Sequence, residues 1–266
     1  AQLAFVRAMD GFEDAHITRP GYAIEYDFFD PRALQLWLES KSIKHLFFAG
    51  QINGTTGYEE AAAQGLLAAI NAVRLIGGHE PWYPRRDEAY LGVLVDDLVT
   101  TGTKEPYRMF TSRAEWRLLL RQDNADWRLT EIGHRLGVVD DGRYRAFITK
   151  RDAVNAETKR LAGTHIGMES ACHQAVSSYL GQSLEKNVAV LDLLKRPQSD
   201  YQALLEAVGM APAVPEVATQ VTIQARYAGY IARQKIEVER LRQQENTLIP
   251  NDIEYNKIKG LSSEVL

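Results

Sequence analysis

Residues 47–65 read FFAGQINGTTGYEEAAAQG. The apolar run Leu46-Phe47-Phe48-Ala49 breaks off into small and polar residues, and a segment of good helix formers then opens on the adjacent acids Glu59 and Glu60. A short, continuously apolar run bounded by turn residues suits a strand buried on both faces, as in a parallel sheet. The pattern that follows predicts a helix from Tyr58 to about Ile76, closed by Gly77-Gly78, because glycine favours the position just past a helix end. The expected unit is strand, tight loop, helix.

Such a joint is able to hold a ligand. Gly50, Gly54 and Gly57 permit positive φ and close approach to the main chain. The helix leaves its first N–H groups unpaired and aimed at the loop, with partial positive charge behind them. Glu59 and Glu60 answer that dipole themselves and would repel a pyrophosphate. A neutral-to-anionic edge fits better, and the pyrimidine side of a flavin, which gains negative charge on reduction, is one. The same residues also make a plain connection, with the glycine and alanines of AAAQG letting the helix pack closely on a sheet. No G-x-G-x-x-G occurs in the chain, so a dinucleotide's phosphates have no binding turn in it.

Outward from the joint, PGYAIEYDFFDP (residues 20–31) is aromatic, partly alternating and bounded by prolines, which predicts a strand or two with turns. PWYPRRDE punctuates the chain after residue 80. AYLGVLVDDLVTTG predicts a helix ending at Gly102. In RAEWRLLLR (113–121), Ser112 and Glu115 have capping-box spacing. Strand alternation fits better there, with Ala114, Trp116, Leu118 and Leu120 on one face and Arg113, Glu115, Arg117 and Arg121 on the other. Beyond Thr130 the chain reads as helical, with breaks at Gly163, Gly167, Pro197 and APAVP; residues 216–246 make the longest helix. The expected organisation is 1–80, 81–214 and 215–266.

A chain of 266 residues can bury a substantial core and suits more than one domain. With 45% hydrophobic residues, 25% charged residues and a net charge of −4, it is an ordinary globular composition that does not announce a nucleic-acid binder in bulk. The single cysteine, Cys172, excludes an internal disulfide and fits a reducing compartment such as the cytoplasm. No apolar stretch is long enough to span a bilayer, and AQLAFVRAMDGFED has no signal-peptide core. It also starts mid-pattern without an initiator methionine, so a piece of a longer protein is expected.

Lys104, Arg108, Arg113, Arg117, Arg121 and Arg128 are interleaved with Tyr107, Phe110, Trp116 and Trp127. Cations on phosphates and aromatics under splayed bases are how RNA loops are gripped. By composition, with Glu105, Glu115, Asp123 and Asp126 among them, a solvated, ion-paired face is the preferred reading. A second group, Arg226, Tyr227, Tyr230, Arg233 and Lys235, lies in the C-terminal helical pattern; RNA contact and a helix-packing stripe stand side by side there. The six histidines (His16, His45, His79, His134, His165, His173) show no metal spacing. Cys172 reads as a packing residue. The paired acids Asp96-Asp97 and Asp140-Asp141 read as caps and surface rather than as acid–base groups.

FFAGQINGTTGYEEAAAQG, LGVLVDDLVTTGTKEPYRMFTSRAEWRLLLRQDNADWRLT, and YAGYIARQ followed by NTLIPNDIEY resemble the corresponding stretches of the MnmG (GidA) family of tRNA-modifying flavoproteins. The resemblance runs from RPGYAIEYDFFDP to GLSSEVL and is weakest between about Ile148 and Pro215. It implies an α/β remnant of an FAD-binding Rossmann-like domain, followed by a mainly α-helical C-terminal domain. It further implies an FAD-binding, NADH-using homodimer that works with the GTPase MnmE on carbon five of the wobble uridine of tRNA. In that family the AGQING block closes the flavin site. Gln51 falls on a position that touches FAD, and Gly50, Ile52, Asn53 and Gly54 share the block. With tRNA as the implied substrate, Lys104, Arg108, Arg113, Arg117 and Arg121 become candidate RNA contacts. The family's glycine-rich turn, NAD site and proposed reactive cysteines would lie upstream of this chain, and its MnmE-docking segment downstream. Alone, the chain is expected neither to hold FAD tightly nor to catalyse, and no catalytic acid or base is assigned. The alternatives are a relative of the folate- and FAD-dependent tRNA uracil methyltransferases, against which YAGYIARQ argues, and a non-catalytic module binding tRNA and a partner.

Overall fold

The computed structural model describes residues 1–22 and 24–245, together with Leu248 and Gly260. Most of the block NTLIPNDIEYNKIKGLSSEVL therefore lies outside the described residues. The chain forms two compact units, one made of Ala1–Tyr83 and Leu94–Met109 and the other of Pro84–Val93 and Phe110–Leu266.

The first unit begins with helix α1 (Gln2–Arg7). The Gln2 amide clamps Gly21, donating to its carbonyl at 2.7 Å and accepting its N–H at 2.9 Å. Residues 24–29 run extended without a ladder, which corrects the expected strands; Ala23 lies outside the described residues. Asp30 caps a 3-10 turn over Pro31–Ala33, accepting the Arg32 N–H. The run Leu46–Ala49, expected as a doubly buried strand, makes one antiparallel bridge, from Phe47 to Glu39, and Leu46 is exposed. A buried strand needs neighbours on both sides, and the described residues supply one short segment, 38–40. Phe48 instead stacks on Phe29 with ring centres 4.5 Å apart. A 3-10 turn over Gly50–Asn53 leads into α2 (Tyr58–Ile76), which ends at Gly77 as the sequence implies. The unit is completed by the end of α3 (Tyr90–Asp96) and by a π-helical turn, Asp97–Thr101, stopped at Gly102 with φ 72°.

Among the described residues the second unit is mainly helical, with one short ladder. Its helices are α4 (Ala125–Arg135), α5 (Asp141–Gly163), α6 (His173–Leu180), α7 (Val190–Leu194), α8 (Tyr201–Val208) and α9 (Pro215–Glu245). Strands β1 (His165–Ile166) and β2 (Val188–Ala189) pair antiparallel, a ladder that the sequence did not suggest. Asp140 and Asp200 cap α5 and α8 by accepting the N–H groups of Arg143 and Ala203, so one half of the Asp140-Asp141 pair is a cap as expected. The core gathers Val154 and Leu161 of α5, Leu193 and Leu194 of α7, Leu204 and Leu205 of α8, and Val217 and Val221 of α9.

Residues 113–121 are neither strand nor helix. A 3-10 turn over Thr111–Arg113 is followed by a turn closed by the N–H groups of Leu119 and Leu120 on the Trp116 carbonyl. The expected alternation of burial is present at Ala114, Trp116 and Leu120, but among the described residues no neighbouring strand exists for a ladder. Glu115 does not close a capping box with Ser112; the Arg86 guanidinium takes both of its oxygens, at 2.7 and 2.9 Å.

Candidate functional site

The loop after Ala49 is held from beneath by α2. Gln64 and Asn53 are fully buried. Gln64 Oε1 accepts the Asn53 side-chain N–H at 2.8 Å and the Gly50 backbone N–H at 3.2 Å. Gln64 Nε2 donates to Thr55 Oγ1 at 3.0 Å, and Asn53 Nδ2 also reaches the Phe48 carbonyl at 3.0 Å. One amide side chain thus ties both ends of the loop to the helix. Gly50 and Gly54 both take positive φ, +82° and +80°, which a β-carbon disfavours.

Glu60, in the first turn of α2, folds its carboxylate back beside the N-cap Gly57 and also ties down a distant segment. It is 5% exposed, and its Oε1 accepts the Met109 N–H at 2.7 Å. Its Oε2 has no hydrogen-bond partner among the described residues and lies 1.6 Å from where a Gly57 Cβ would stand. The missing β-carbon at Gly57 leaves room for this carboxylate, which a larger residue there would displace. Glu60 brings residues 103–109 to the loop, and Tyr107 secures them there. The Tyr107 N–H donates to the Gly54 carbonyl at 2.8 Å and its carbonyl accepts the Thr56 N–H at 3.1 Å.

Three segments then line an open cleft of about 360 Å³: Tyr26–Phe28, the loop at Gln51–Thr56, and Thr103–Pro106. Tyr26, Phe28 and Pro106 give it apolar walls, while Gln51, Thr55, Thr56 and Lys104 bring polar groups. A β-carbon at Gly54 would come within 2.7 Å of Thr103 Cγ2 and 3.0 Å of the Phe28 ring, so bare backbone is needed there. The volume lies near the low end for small-molecule clefts, about 300–1,000 Å³. It suits one ring system better than a whole dinucleotide.

The candidate residues fall in different places. Gln51 and Gly54 line the cavity; Gly50 and Asn53 are buried beneath the loop, and Ile52 anchors the aromatic run by accepting the Phe29 N–H at 2.8 Å. Lys104, expected among the RNA contacts, lines this same cavity. Arg108, Arg113 and Arg117 are exposed. Arg121 does not share their outward face: its side chain is 12% exposed, bonds Asp123 through Nε at 2.9 Å, and lies over the Tyr227 ring at 4.8 Å. Sequence reasoning took Glu60 only as a dipole partner, missing its bond to Met109, and missed Gln64. Their only signal is polar residues one helical turn apart within AAAQG and its approach, on a helix otherwise rich in alanine.

A loop with two positive-φ glycines over a helix, beside a cleft, and a separate helical unit define the class: a two-unit, mainly helical protein with a candidate small-molecule cleft in its first unit. Residues 1–80 match the family described as Glucose inhibited division protein A, and residues 141–235 match the tRNA modifying enzyme MnmG/GidA C-terminal helical domain. Over 99% of its length the chain superposes on Aquifex aeolicus GidA in two crystal forms, with 39% identity and TM-scores of 0.75 (form II) and 0.73 (form I). The chain belongs to the MnmG/GidA family. It spans 41% of the length of those solved relatives.

Proposed function

We infer that the whole protein is the flavin-bearing component of a tRNA modification system that acts at carbon five of the wobble uridine, with FAD as cofactor, NADH as reductant and the GTPase MnmE as partner. The reading is supported by family membership, and the observation that carries it within this chain is the cavity beside the Gly50–Gly54 loop. FAD, when bound, supplies the redox chemistry.

The residues present fit one edge of that cofactor. Tyr26 and Phe28 offer apolar surface to a flat ring and shield it from water, Gly54 lets the ring approach bare backbone, and the Gln51 amide and Lys104 ammonium serve a polar, partly negative edge. Gln64 and Glu60 do not reach the cavity; they fix the two segments that line it. The exposed Arg108, Arg113 and Arg117 serve RNA phosphates. A homodimer completes the assembly, and the NAD site, the phosphate-binding turn and the MnmE docking surface belong to other parts of the whole protein.

Mass analysis of tRNA wobble uridines in cells lacking the intact protein tests this reading. The aminomethyl-type modification should disappear and return on complementation. Unaltered modification would overturn the assignment.

A further inference from the structure

The second unit holds a cleft whose donors outnumber its acceptors. It has a volume of about 700 Å³ and runs between residues 119–128 and one face of α9, with Ile231, Lys235 and Val238 on the helix side. Arg128 faces it half-buried, and the hydrogen-bond partners of its guanidinium are uncharged: Asn124 Oδ1 at 2.9 Å, the Arg121 carbonyl at 3.1 Å and the Glu88 carbonyl. Burial, and then the nearby charge of Arg121, depress the Arg128 pKa, and the charges of Asp123 and Asp126 offset this only in part. Trp127 lines the same cleft, and its indole N–H is buried without an acceptor among the described residues.

The acids at the cleft are already engaged. Asp87 accepts from Arg242 at 2.6 Å and from Arg85 at 3.0 Å. Glu239 pairs with Arg242 at 3.7 Å. Asp123, next to the lining, is taken by Arg121. Lys235 reaches the cleft from α9 as an exposed ammonium. The missing group is an anion with several acceptor oxygens, which describes a phosphate. The volume admits the nucleoside attached to it as well.

We propose that this cleft seats a backbone phosphate of the RNA substrate, with Arg128 and Lys235 supplying the charge and the Trp127 ring forming part of the wall. The proposal rests on the RNA reading above and places contact at α9 in addition to the segment around Arg113. It also separates α9's second basic-aromatic group: Lys235 lines the cleft, Arg226 donates to the Ser199 carbonyl, and Tyr227 packs under Arg121.

The test titrates the intact protein with a tRNA transcript, and separately with inorganic phosphate, while tryptophan emission is followed; Trp127→Phe identifies the responding component. The expected result is a change in Trp127 emission on adding tRNA. In Lys235→Glu, which alters an exposed side chain and leaves the fold in place, tRNA affinity falls about tenfold and the slope of log K against log salt flattens by roughly one contact, 0.7–0.9. Parent affinity and slope in both Lys235→Glu and Lys235→Ala, or a silent Trp127, would overturn the proposal. A response to inorganic phosphate without one to tRNA would assign the cleft to a free anion and overturn it equally. If the parent protein binds no tRNA at all, the functional reading itself fails; if only the variants behave like the parent, the cleft alone is wrong.

Discussion

Gln64 and Asn53 meet at 2.8 Å with neither side chain exposed, and this contact sets the shape of the loop that borders the cavity. A buried amide pair is stabilising only while its partners remain. Replacing Gln64 by leucine keeps the volume but strands the Gly50 N–H and the Thr55 hydroxyl, and leaves the Asn53 amide with the Phe48 carbonyl alone. Each stranded group costs about 1–3 kcal/mol. Urea denaturation of Gln64→Leu should therefore show a loss of at least about 2 kcal/mol. A change below about 0.5 kcal/mol would mean that the loop is held by something else.

Gly92 lies in α3, where a β-carbon would sit 2.2 Å from the Arg85 carbonyl oxygen and 2.6 Å from that of Pro84. Both obstacles are backbone and cannot swing aside. Gly92→Ala should lower the stability of the second unit by about 2 kcal/mol or more, on the scale of overpacking, despite the higher helix propensity of alanine. A thermal midpoint equal to the parent's would show that the close approach is relieved at no cost.

Glu157 sits at the centre of a buried polar group in the helical unit. It accepts the Tyr201 hydroxyl at 2.6 Å and the Arg160 guanidinium at 2.7 and 2.8 Å, while the Tyr201 oxygen accepts the Ala213 N–H at 3.0 Å. Burial pushes the carboxyl pKa up, but the hydrogen bonds from Arg160 and Tyr201 and the charge of Arg160 outweigh it and hold it below 4.5. A depressed folded pKa stabilises above the unfolded value, and that contribution is lost as pH falls through the folded one. Urea midpoints should be flat with respect to this group at neutral pH and decline below its ordinary value of 4.5. In Glu157→Gln that share of the decline should vanish. An unchanged acid limb in the variant would contradict the linkage.

What the sequence disclosed was local. The start and stop of α2, the length of α9 and the burial of Ala114, Trp116 and Leu120 all follow from periodicity and capping within a few residues. What it withheld depends on distant partners. Alternation at 113–121 encodes which side chains are buried, yet a strand also needs a neighbour, and the chain turns on itself while Glu115 reaches an arginine 29 residues away. Glu60 reads as a first-turn acid, but its partner is the backbone of a residue 49 positions on. The loop was legible as a candidate site from its glycines; the cavity was not, because Tyr26, Phe28 and Lys104 come from segments that no spacing links to it.

Flavin titration of the intact protein tests the central claim most directly. Gln51 is exposed at the cavity and bears little on stability, so Gln51→Ala should weaken FAD while leaving the unfolding midpoint unchanged. Gly54→Val adds bulk at φ +80° against Thr103 and Phe28, and should cost flavin affinity more than tenfold, about 1.4 kcal/mol or more. Parent-like affinity in both variants would contradict the account and leave the joint as scaffold.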